Sequence, residues 1–544
     1  MTINLSAINL LEAFLSIVAI AILRQWIKSM RNPPGLLPPG PRGLPLLENI
    51  LDMPQQKEWE TFTEWARRFG ELRDLHRPQA RLLRLDQDAI PRTGVLIEFS
   101  NGIGDIVSVS IMGRRIVVVN SAKIASEMLD RKSAVYSDRP VMQMAGELVG
   151  WRDALPCLPY DHRFRNQRKM IHQVIGTHAA VSSFHPMLEA ETRGFLKKAM
   201  EKPSDLLGHI RKTTGAVVLR LTYGYEVSET DDPLVKLADT TMDQFSKSVS
   251  PGGFLVNLVP ALRLIPEWLP GGGFKKIARE WRKNLLMMTE KPYQFVKDSM
   301  KEGDSGVSYV TQHLASLQKG KTSEDDIKWS AMSLYAGGAD TTVAAIYVFF
   351  LAMVLHPECA RLAQKEIDEV VGRERLPTIE DMQKLPYVHA MALEVQRWHS
   401  LAPMGLPHRV MEDDVHDGYF IPKGSLVIAN LFFIAHDERV YPDPFSFKPE
   451  RFMGSNPEPD PRNIYYGFGR RICPGRLLAD ASVFITIAMS LAVSNIEKVT
   501  QDGKDVEVTY EQMAGSISHC KPFECSVKPR SKKAESLVLQ AAEQ

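Results

Sequence analysis

The pattern of apolar and polar residues divides this chain into long helical segments and a few short strands. Residues 326–355 keep a helical spacing of apolar positions, and their second half is almost wholly apolar. The next segment has Pro357 just inside its start and Gly372 at its end, as helices often do. Residues 106–120 and 419–437 are rich in β-branched residues around glycine-containing turns, which predicts short strands. We therefore expect a mainly α fold with small β-sheets.

The first residues of the chain differ from this pattern. Residues 7–23 form a mostly apolar run near the lower length limit of a membrane-spanning helix, interrupted by Glu12. A secretory signal peptide would carry positive charge before such a run, whereas Arg24 and Lys28 follow it here. This charge asymmetry favours an uncleaved transmembrane anchor with a basic flank in residues 1–31, and a cytosolic location for the rest of the chain.

The remaining chain is expected to form a spacer and one large domain. Residues 32–49 are rich in proline, which predicts a stiff, non-helical spacer. Residues 50–544 contain no internal repeat, so we expect a single catalytic domain there. Within it, residues 71–104 have neither a helical nor a strand period, and joining Gly70 to Asp105 gives the continuous phrase RRFGDIVSVSI. We predict that 71–104 is an inserted surface segment; a membrane-facing loop is the alternative.

Composition narrows the choice of partners and compartment. The chain has 544 residues and a formal net charge of +1, so no overall positive field attracts nucleic acid. Its five cysteines are odd in number and scattered, which argues against a disulfide framework and for a reducing compartment. Cys520 and Cys525 lie close together in sequence, but no second Cys/His pair accompanies them, so a zinc site is not favoured.

The stretch YGFGRRICPGRLLAD surrounds Cys473 with glycines, arginines and a proline. A thiolate can act as a nucleophile, a structural-metal ligand or a haem ligand. The first two need partner residues that are not nearby in sequence, whereas haem needs one axial donor. Gly467 and Gly469 allow a sharp turn and a close backbone approach to a flat ring. A helix starting near Gly475 would direct its amides at the sulfur, and Arg471 could pair with a haem propionate.

This stretch resembles the haem-binding signature of the cytochrome P450 family, Phe-x-x-Gly-x-Arg-x-Cys-x-Gly. Tyr466 replaces the phenylalanine, and the other fixed positions are filled by Gly469, Arg471, Cys473 and Gly475. The resemblance implies a cytochrome P450-like fold and a haem b (iron protoporphyrin IX) whose iron takes Cys473 as its axial ligand. It also implies cofactor contacts from Arg471 and Gly469. A buried structural cysteine is the alternative.

Three charged residues follow the family's order along the chain. Glu394 and Arg397, in the phrase EVQR, are three residues apart and so share one helix face. The later phrase PERF supplies Arg451. The resemblance implies that the three form a structural charge network in the core and take no part in catalysis. Taken alone, the EVQR pair would be a solvated salt bridge.

The stretch AGGADTT interrupts a long helical pattern with two adjacent glycines. Each glycine costs about 1 kcal/mol relative to alanine inside a helix. We expect Gly337 and Gly338 to thin the helix wall so that another group can approach; the alternative is that they end one helix and start another. The stretch resembles the family's oxygen-binding groove, which implies that Thr341 offers its hydroxyl to dioxygen and that Asp340 relays protons. A mid-helix threonine can also bond to the carbonyl four residues earlier.

Two further arginines match propionate-binding positions of the family. The stretch YDHRFRNQRK resembles its Trp-x-x-x-Arg helix, with Phe164 in place of tryptophan and Arg168 at the arginine position. Arg409, in the phrase PHRV, matches a second such position. Arginine suits this role because its guanidinium can bind a carboxylate through two hydrogen bonds. A solvated basic helix face is the alternative.

The resemblance covers almost the whole chain and is closest to fungal microsomal P450s of secondary metabolism, such as the O-methylsterigmatocystin oxidoreductase type. It implies a monooxygenase that inserts one atom of O2 into a lipophilic substrate, in secondary metabolism or xenobiotic oxidation. Electrons would come from NADPH through a separate NADPH–cytochrome P450 reductase. The implied location is the endoplasmic reticulum membrane, single-pass, with a cytosolic catalytic domain and no nucleic-acid partner. The alternatives are a haem-thiolate isomerase or dehydratase without oxygen activation, and a haem-binding protein without turnover.

Three segments are candidates for contact with apolar molecules. The resemblance implies that residues 402–406 and 514–518 line the substrate pocket, and their small or apolar side chains favour a lipophilic molecule. Residues 252–274 are apolar and broken by proline. We expect them to dip into the membrane interface, with burial in the core as the alternative.

Overall fold

The computed structural model describes residue 16 and residues 35–45, 47–70, 104–250, 252–303, 306–317 and 323–540. Apart from residue 16, the predicted anchor in residues 1–31 lies outside the described residues, and so does all of the suspected insertion except Gly104. The fold is mainly helical with small sheets, which confirms the predicted class.

Twelve longer helices of the described chain carry the architecture. They are α1 (Glu58–Gly70), α2 (His162–Ile175), α3 (His185–Glu201), α4 (Leu206–Tyr223), α5 (Pro233–Val249), α6 (Phe274–Glu302), α7 (Tyr309–Leu317), α8 (Glu324–Leu355), α9 (Pro357–Val370), α10 (Pro386–Trp398), α11 (Arg476–Val493) and α12 (Lys532–Gln540). Shorter α-helical turns cover Ala122–Ser126, Ser133–Tyr136, His178–Ser182, Leu255–Leu258, Leu431–Ala435 and Arg462–Tyr465.

Helix α8 is the central element, and its sequence explains both its start and its packing. The Ser323 side chain accepts a hydrogen bond from the Asp326 amide at 3.1 Å, and acidic residues fill the first turn, where the helix dipole favours them. The helix continues through Gly337 and Gly338, so the alternative of two separate helices is wrong. A β-carbon on Gly338 would lie 2.9 Å from Val218 Cγ2 of α4. This glycine therefore allows the two helices to approach closely.

Helices α8 and α11 are long and apolar enough to span a membrane by length and composition alone. In the most apolar window of each, however, 78% and 61% of the residues respectively are buried inside the protein. Their side chains belong to the largest hydrophobic core, together with residues from α3, α4 and α10. These two helices are therefore explained as core helices.

In the described part of the chain, the strands form one sheet of four strands and three pairs. They are β1 (Ile106–Ile111), β2 (Arg114–Val119), β3 (His408–Arg409), β4 (Asp414–His416), β5 (Tyr419–Ile421), β6 (Leu426–Ala429), β7 (Ser494–Glu497), β8 (Thr500–Gln501), β9 (Lys504–Asp505) and β10 (Ser526–Pro529). The larger sheet has the order β1-β2-β6-β3; β2 and β6 run parallel, and its other neighbours are antiparallel. The strand pairs β4–β5, β7–β10 and β8–β9 are all antiparallel.

The two predicted strand regions have different outcomes. Residues 106–120 form the hairpin of β1 and β2 about Gly113, whose φ of 76° suits a glycine turn, so this prediction is confirmed. Residues 419–437 contain β5 and β6 but then turn into the short helix Leu431–Ala435. The Asn430 side chain caps this helix by accepting the Phe433 amide at 3.1 Å. The strand prediction beyond β6 is therefore wrong.

The described part of the proline-rich spacer packs against the domain. Residues 35–45 contain no helix, as their prolines predict. The Ser108 hydroxyl of β1 donates to the Pro38 carbonyl at 2.7 Å, and the Phe420 amide of β5 donates to the Leu36 carbonyl at 2.6 Å. This part of the spacer is thus docked by hydrogen bonds from two strands.

Candidate functional site

A cavity of about 380 Å³ lies between helix α8 and the turn that precedes α11. Gly337 and Thr341 line it from α8, and Cys473 lines it from the turn. No atom lies within 4 Å of a β-carbon built on Gly337, so this glycine leaves room in the cavity wall. Most of the remaining lining side chains are aliphatic or aromatic. The cavity therefore places the Cys473 thiol, the Thr341 hydroxyl and several other threonine and serine hydroxyls among largely apolar surroundings.

Cys473 is partly accessible from the cavity, whereas the other four cysteines are buried in the core and do not line the cavity. Its amide donates to the Tyr466 carbonyl at 2.8 Å, which closes the turn containing Gly467 at a φ of 73°. Burial raises the pKa of the Cys473 thiol, although the Gly475 amide and the Arg168 guanidinium oppose this effect. The Gly475 amide at the helix start thus favours a thiolate, as expected. Desolvation of the sulfur, however, raises the pKa of the thiol by more than this amide lowers it. Metal coordination would displace the proton.

The departure from the family signature at Tyr466 has a local explanation. Its hydroxyl donates to Asp480 Oδ1 in helix α11 at 2.6 Å, so the polar group that a phenylalanine lacks is satisfied. Burial raises the pKa of the Tyr466 hydroxyl and also that of the Asp480 carboxyl, and in both cases it is the largest cause. The tyrosine therefore ties the start of the turn to the helix that follows it.

Three guanidinium groups line the cavity next to the thiol, from Arg139, Arg168 and Arg471. Arg471 donates to the backbone carbonyls of Ser137 at 2.7 Å and Leu158 at 2.8 Å. Its guanidinium also stacks 3.8 Å from the centre of the Phe164 ring. The phenylalanine in place of tryptophan thus still packs against a cation.

The other two cations are also held by backbone carbonyls. Arg139 donates to Leu406 at 2.7 Å and to Pro407 at 2.8 Å, and Arg168 donates to Ile472.

Among the described residues, no carboxylate forms a hydrogen bond or ion pair with Arg139, Arg168 or Arg471. The nearby Asp138 is engaged elsewhere, because its two oxygens accept the Tyr160 amide at 2.8 Å and the Arg409 guanidinium at 2.6 Å. Burial accordingly lowers the pKa of Arg471 to about 9 and that of Arg139 to about 10, and it lowers the pKa of Arg168. Buried cations without a counter-ion are costly, so this wall of the cavity suits an anionic ligand.

Arg409 and Gly469 are predicted cofactor contacts that do not border the cavity. The Arg409 guanidinium points to Asp138, and the neighbouring residue His408 lines the cavity instead, since successive residues of β3 point to opposite faces. Gly469 has a φ of 53°, and a β-carbon there would lie 2.2 Å from the Leu129 carbonyl oxygen. Its close approach is therefore to protein backbone. Direct contact of either residue with a cofactor stays a prediction.

Asp340 and Thr341, the predicted catalytic pair, are adjacent on α8 but form separate hydrogen bonds. The Thr341 hydroxyl donates to the Gly337 carbonyl at 2.7 Å, the bond to the carbonyl four residues earlier that the sequence allowed. The Asp340 carboxyl accepts from His519 Nε2 at 2.9 Å. Thr341 lines the cavity, and Asp340 lies just behind it.

The predicted structural residues form one buried network. Arg397 makes two hydrogen bonds to Glu394, at 2.7 and 2.8 Å, and both side chains are 0% exposed. Arg451 Nε lies 3.3 Å from the same carboxylate. The Lys448 amide donates to it at 2.8 Å, and Arg397 also donates to the Ala435 carbonyl at 2.9 Å. The carboxylate and both guanidiniums are thus engaged, and none of these side chains lines the cavity.

The two segments predicted to line the substrate pocket have different outcomes. Ala402, Met404, Gly405 and Leu406 line the cavity, whereas none of residues 514–518 does. The Ser518 amide donates to the Leu401 carbonyl at 2.8 Å. Residues 514–518 therefore pack behind the segment that lines the cavity.

Comparison with known proteins identifies the family. The cytochrome P450 family model matches residues 80–527. The chain belongs to the cytochrome P450 family. It is 46% identical over 531 residues to cytochrome P450 monooxygenase 208 of Postia placenta, covering 97% of each chain. It is 42% identical over 540 residues to cytochrome P450 monooxygenase claR of Ampulloclitocybe clavipes, covering 98% of this P450 and 93% of the relative. It is also 35% identical over 530 residues to a multifunctional cytochrome P450 monooxygenase, af510, of Aspergillus fumigatus, covering 95% and 92%. The predicted monooxygenase class is confirmed.

Membership of this family implies haem, and the residues at the cavity fit that group. A haem with a thiolate ligand needs one sulfur donor, a flat apolar space and cations for its propionates. The cavity of this P450 offers Cys473, an apolar lining and three guanidiniums that lack carboxylate partners. The sequence did not single out Arg139 or His408, because only the folded chain brings their segments to the cavity.

Proposed function

We propose that this P450 inserts one atom of O2 into a lipophilic organic substrate, using electrons that a separate reductase takes from NADPH. The observation that carries the proposal is the pairing, in one cavity, of the Cys473 thiol with three guanidiniums that have no carboxylate partner among the residues that the structure describes. This arrangement suits a porphyrin with two carboxylates and a thiolate-bound iron. The Thr341 hydroxyl on the opposite wall suits a reaction that consumes oxygen and protons.

In this proposal the chain's own groups bind, orient and supply protons. When bound, the haem supplies oxygen activation and transfer of an oxygen atom. Cys473 would hold the haem iron through its sulfur, and Arg168, Arg471 and Arg139 would pair with the propionates. Asp340 and Thr341 place a proton donor at the opposite wall of the cavity. There the Thr341 hydroxyl can give up its hydrogen bond to the Gly337 carbonyl and donate to dioxygen instead.

The proposed substrate is lipophilic because the cavity wall away from the arginines is apolar. Leu334, Ile346 and Val218 line it, with hydroxyl groups such as that of Thr342 between them. Such a pocket binds by apolar burial and leaves few hydrogen bonds for selectivity. Secondary metabolism and xenobiotic oxidation are both compatible with this chemistry.

A basic surface near the cysteine supports an acidic redox partner. Arg470 and Arg476 are exposed on either side of Cys473, and Arg165 and Lys169 are exposed on α2. Arg471, which directly follows Arg470 in the sequence, is buried and so does not belong to this surface. We propose that the exposed cations form the docking surface for NADPH–cytochrome P450 reductase.

An apolar surface supports membrane contact by the catalytic domain. In residues 252–274, Leu255, Leu264 and Trp268 are exposed, Trp268 by 79%. Leu51 of the N-terminal region is also exposed. A β-carbon on Gly252 would clash with the backbone of Gln55, so the two segments are neighbours. Exposed apolar patches usually mark contacts, and we propose that this one faces the endoplasmic reticulum membrane.

One measurement separates the proposed function from its alternatives. The purified chain with haem is mixed with NADPH–cytochrome P450 reductase, NADPH and a panel of lipophilic probes (progesterone, lauric acid and 7-ethoxycoumarin). The probe that gives the largest haem spin-state change is then used for turnover. We expect NADPH-dependent consumption of O2 and an oxygenated product. Isomerised or dehydrated product without O2 consumption would indicate the isomerase or dehydratase alternative, and haem without any turnover would indicate a binding protein.

A further inference from the structure

His519 is the partner of the predicted acid, although no sequence motif singled it out. Its Nε2–H donates to Asp340 Oδ1 at 2.9 Å. The Asp340 side chain is 12% exposed and the His519 side chain 23% exposed. A hydrogen bond to a carboxylate in such surroundings is stronger than one at the surface.

The hairpin that carries His519 holds it in a fixed place. The Met513 amide donates to the His519 carbonyl at 2.8 Å, and Gln512 forms a β-bridge with Cys520. The Ser516 amide donates to the Ser246 hydroxyl of α5 at 3.0 Å. The imidazole is therefore positioned by the hairpin from both sides and from a neighbouring helix.

Among the described residues, Asp239 of α5 and His399 at the end of α10 also lie near this imidazole. Arg211 of α4 approaches Asp239 to 3.2 Å, so Asp239 has its own cationic partner. His399 bonds to the Tyr510 hydroxyl and the Ser518 carbonyl, both at 3.0 Å. Both neighbours thus have partners of their own, and Asp340 is the group that accepts the hydrogen bond from His519.

We propose that His519 is a positioning residue for oxygen use in this P450: its hydrogen bond orients the Asp340 carboxyl beside Thr341. The inference rests on the proposed function. A partly buried carboxyl that accepts a fixed hydrogen bond keeps its orientation, whereas the same carboxyl without that partner is free to rotate and to bond elsewhere. Without the His519 hydrogen bond, proton delivery at Thr341 should therefore become less reliable.

Two substitutions test this hydrogen bond. His519→Gln keeps an N–H donor near the Nε2 position, and His519→Leu removes the donor. The readout is the fraction of NADPH recovered as hydrogen peroxide with the selected probe. We expect this fraction to rise about threefold in His519→Leu and to stay close to the value of the natural chain in His519→Gln.

A second readout needs no turnover. Histidine ring signals are recorded by NMR in the diamagnetic ferrous carbonyl form, with His519→Gln used to assign the His519 signal. In Asp340→Asn, we expect the His519 ring signals to move, because the carboxyl that accepts the Nε2–H has been replaced. His178, which is exposed on a short helix, provides the control: His178→Gln should keep both the peroxide fraction and the His519 signals unchanged.

The outcomes distinguish this inference from the proposed function. Unchanged His519 ring signals in Asp340→Asn overturn the positioning role, and so does a peroxide fraction in His519→Leu equal to that of the natural chain. A natural chain that consumes no NADPH with reductase and O2 contradicts the proposed function instead, and the NMR comparison then decides the Asp340–His519 contact alone. If His519→Leu loses its haem, the NMR comparison remains decisive.

Discussion

Two groups of arginines inside this P450 differ in the acceptors of their hydrogen bonds. Arg397 and Arg451 share the carboxylate of Glu394, so their positive charges are compensated within the protein. At the cavity, Arg168 and Arg471 donate only to backbone carbonyls, and burial lowers the pKa of both. The first group completes the core, whereas the second remains short of negative charge until an anion binds.

This difference teaches how a structural arginine can be told from a ligand-binding one. Depth of burial does not separate them, because Arg471 is nearly as buried as Arg451. The identity of the acceptor does, since a carboxylate cancels the charge and a carbonyl only orients the guanidinium. Substitutions in the two groups should therefore have different consequences, and the predictions below run from the largest expected effect to the smallest.

The largest effect is expected from Arg397→Ala in the compensated group. The substitution leaves the Glu394 carboxylate buried without its main partner, which typically costs about 3–5 kcal/mol of folding free energy. We expect little soluble protein and little bound haem, measured by the yield of the reduced carbonyl complex. Arg373→Ala is the matched control, because Arg373 pairs with Asp368 at the surface and its loss should leave the yield unchanged. Normal yield of Arg397→Ala would count against the network.

Cys473→Ser should remove the function and keep the fold. The serine preserves the size of the side chain, so we expect soluble protein with normal helical circular dichroism. The reduced carbonyl complex should lose the absorption typical of a thiolate ligand. Cys520→Ser and Cys157→Ser should keep that absorption, because neither sulfur lines the cavity. A normal spectrum in Cys473→Ser would end the assignment of the axial ligand.

How far the sequence predicts these groups depends on how local their signals are. Arg397, Cys473 and Thr341 stand in short motifs, and the structure brings each to a network or to the cavity. Arg139 and His519 carry no such motif, because their positions depend on contacts between segments far apart in the chain.

The secondary structure, too, was predictable only where its signal is local in the sequence. The helix through Gly337 and Gly338 was predictable from the long, proline-free apolar run that continues directly after the glycines. The short helix Leu431–Ala435 was not, because its start depends on the Asn430 side chain and its residues suit a strand equally well.

Arg168→Gln in the uncompensated group should weaken cofactor retention without unfolding the protein. The substitution leaves no buried carboxylate unpaired, so the haem-free chain should unfold at the same temperature as the natural chain or higher. We expect transfer of haem to apomyoglobin to become about tenfold faster, which corresponds to one lost charge-assisted pair. Both quantities should be measured in parallel with Arg397→Ala. If Arg168→Gln also fails to fold, the distinction between the two groups of arginines is wrong.

Thr341→Ala should leave both arginine groups intact and change only the use of oxygen. Haem content and probe binding should stay normal, because the Thr341 hydroxyl bonds to the Gly337 carbonyl and to no arginine. We expect product formation per NADPH to fall about tenfold or more, with hydrogen peroxide accounting for the difference. Thr341→Ser keeps the hydroxyl and should restore most of the product. Equal coupling in the alanine and serine variants would show that Thr341 only packs.

The smallest effect is expected from removal of residues 71–103, which should leave both arginine groups as they are. The Gly104 amide donates to the Ala66 carbonyl at 2.7 Å, and Ala66 lies in the last turn of helix α1. Gly104 therefore stands within hydrogen-bond distance of the helix that ends at Gly70, so the chain can be rejoined there with little rearrangement. Closing so short a connection also costs little entropy. We expect the shortened chain to keep its haem content, its thiolate-type spectrum and its turnover in membranes. Loss of haem or of membrane-dependent turnover would mean that residues 71–103 are an integral, membrane-facing part of the enzyme.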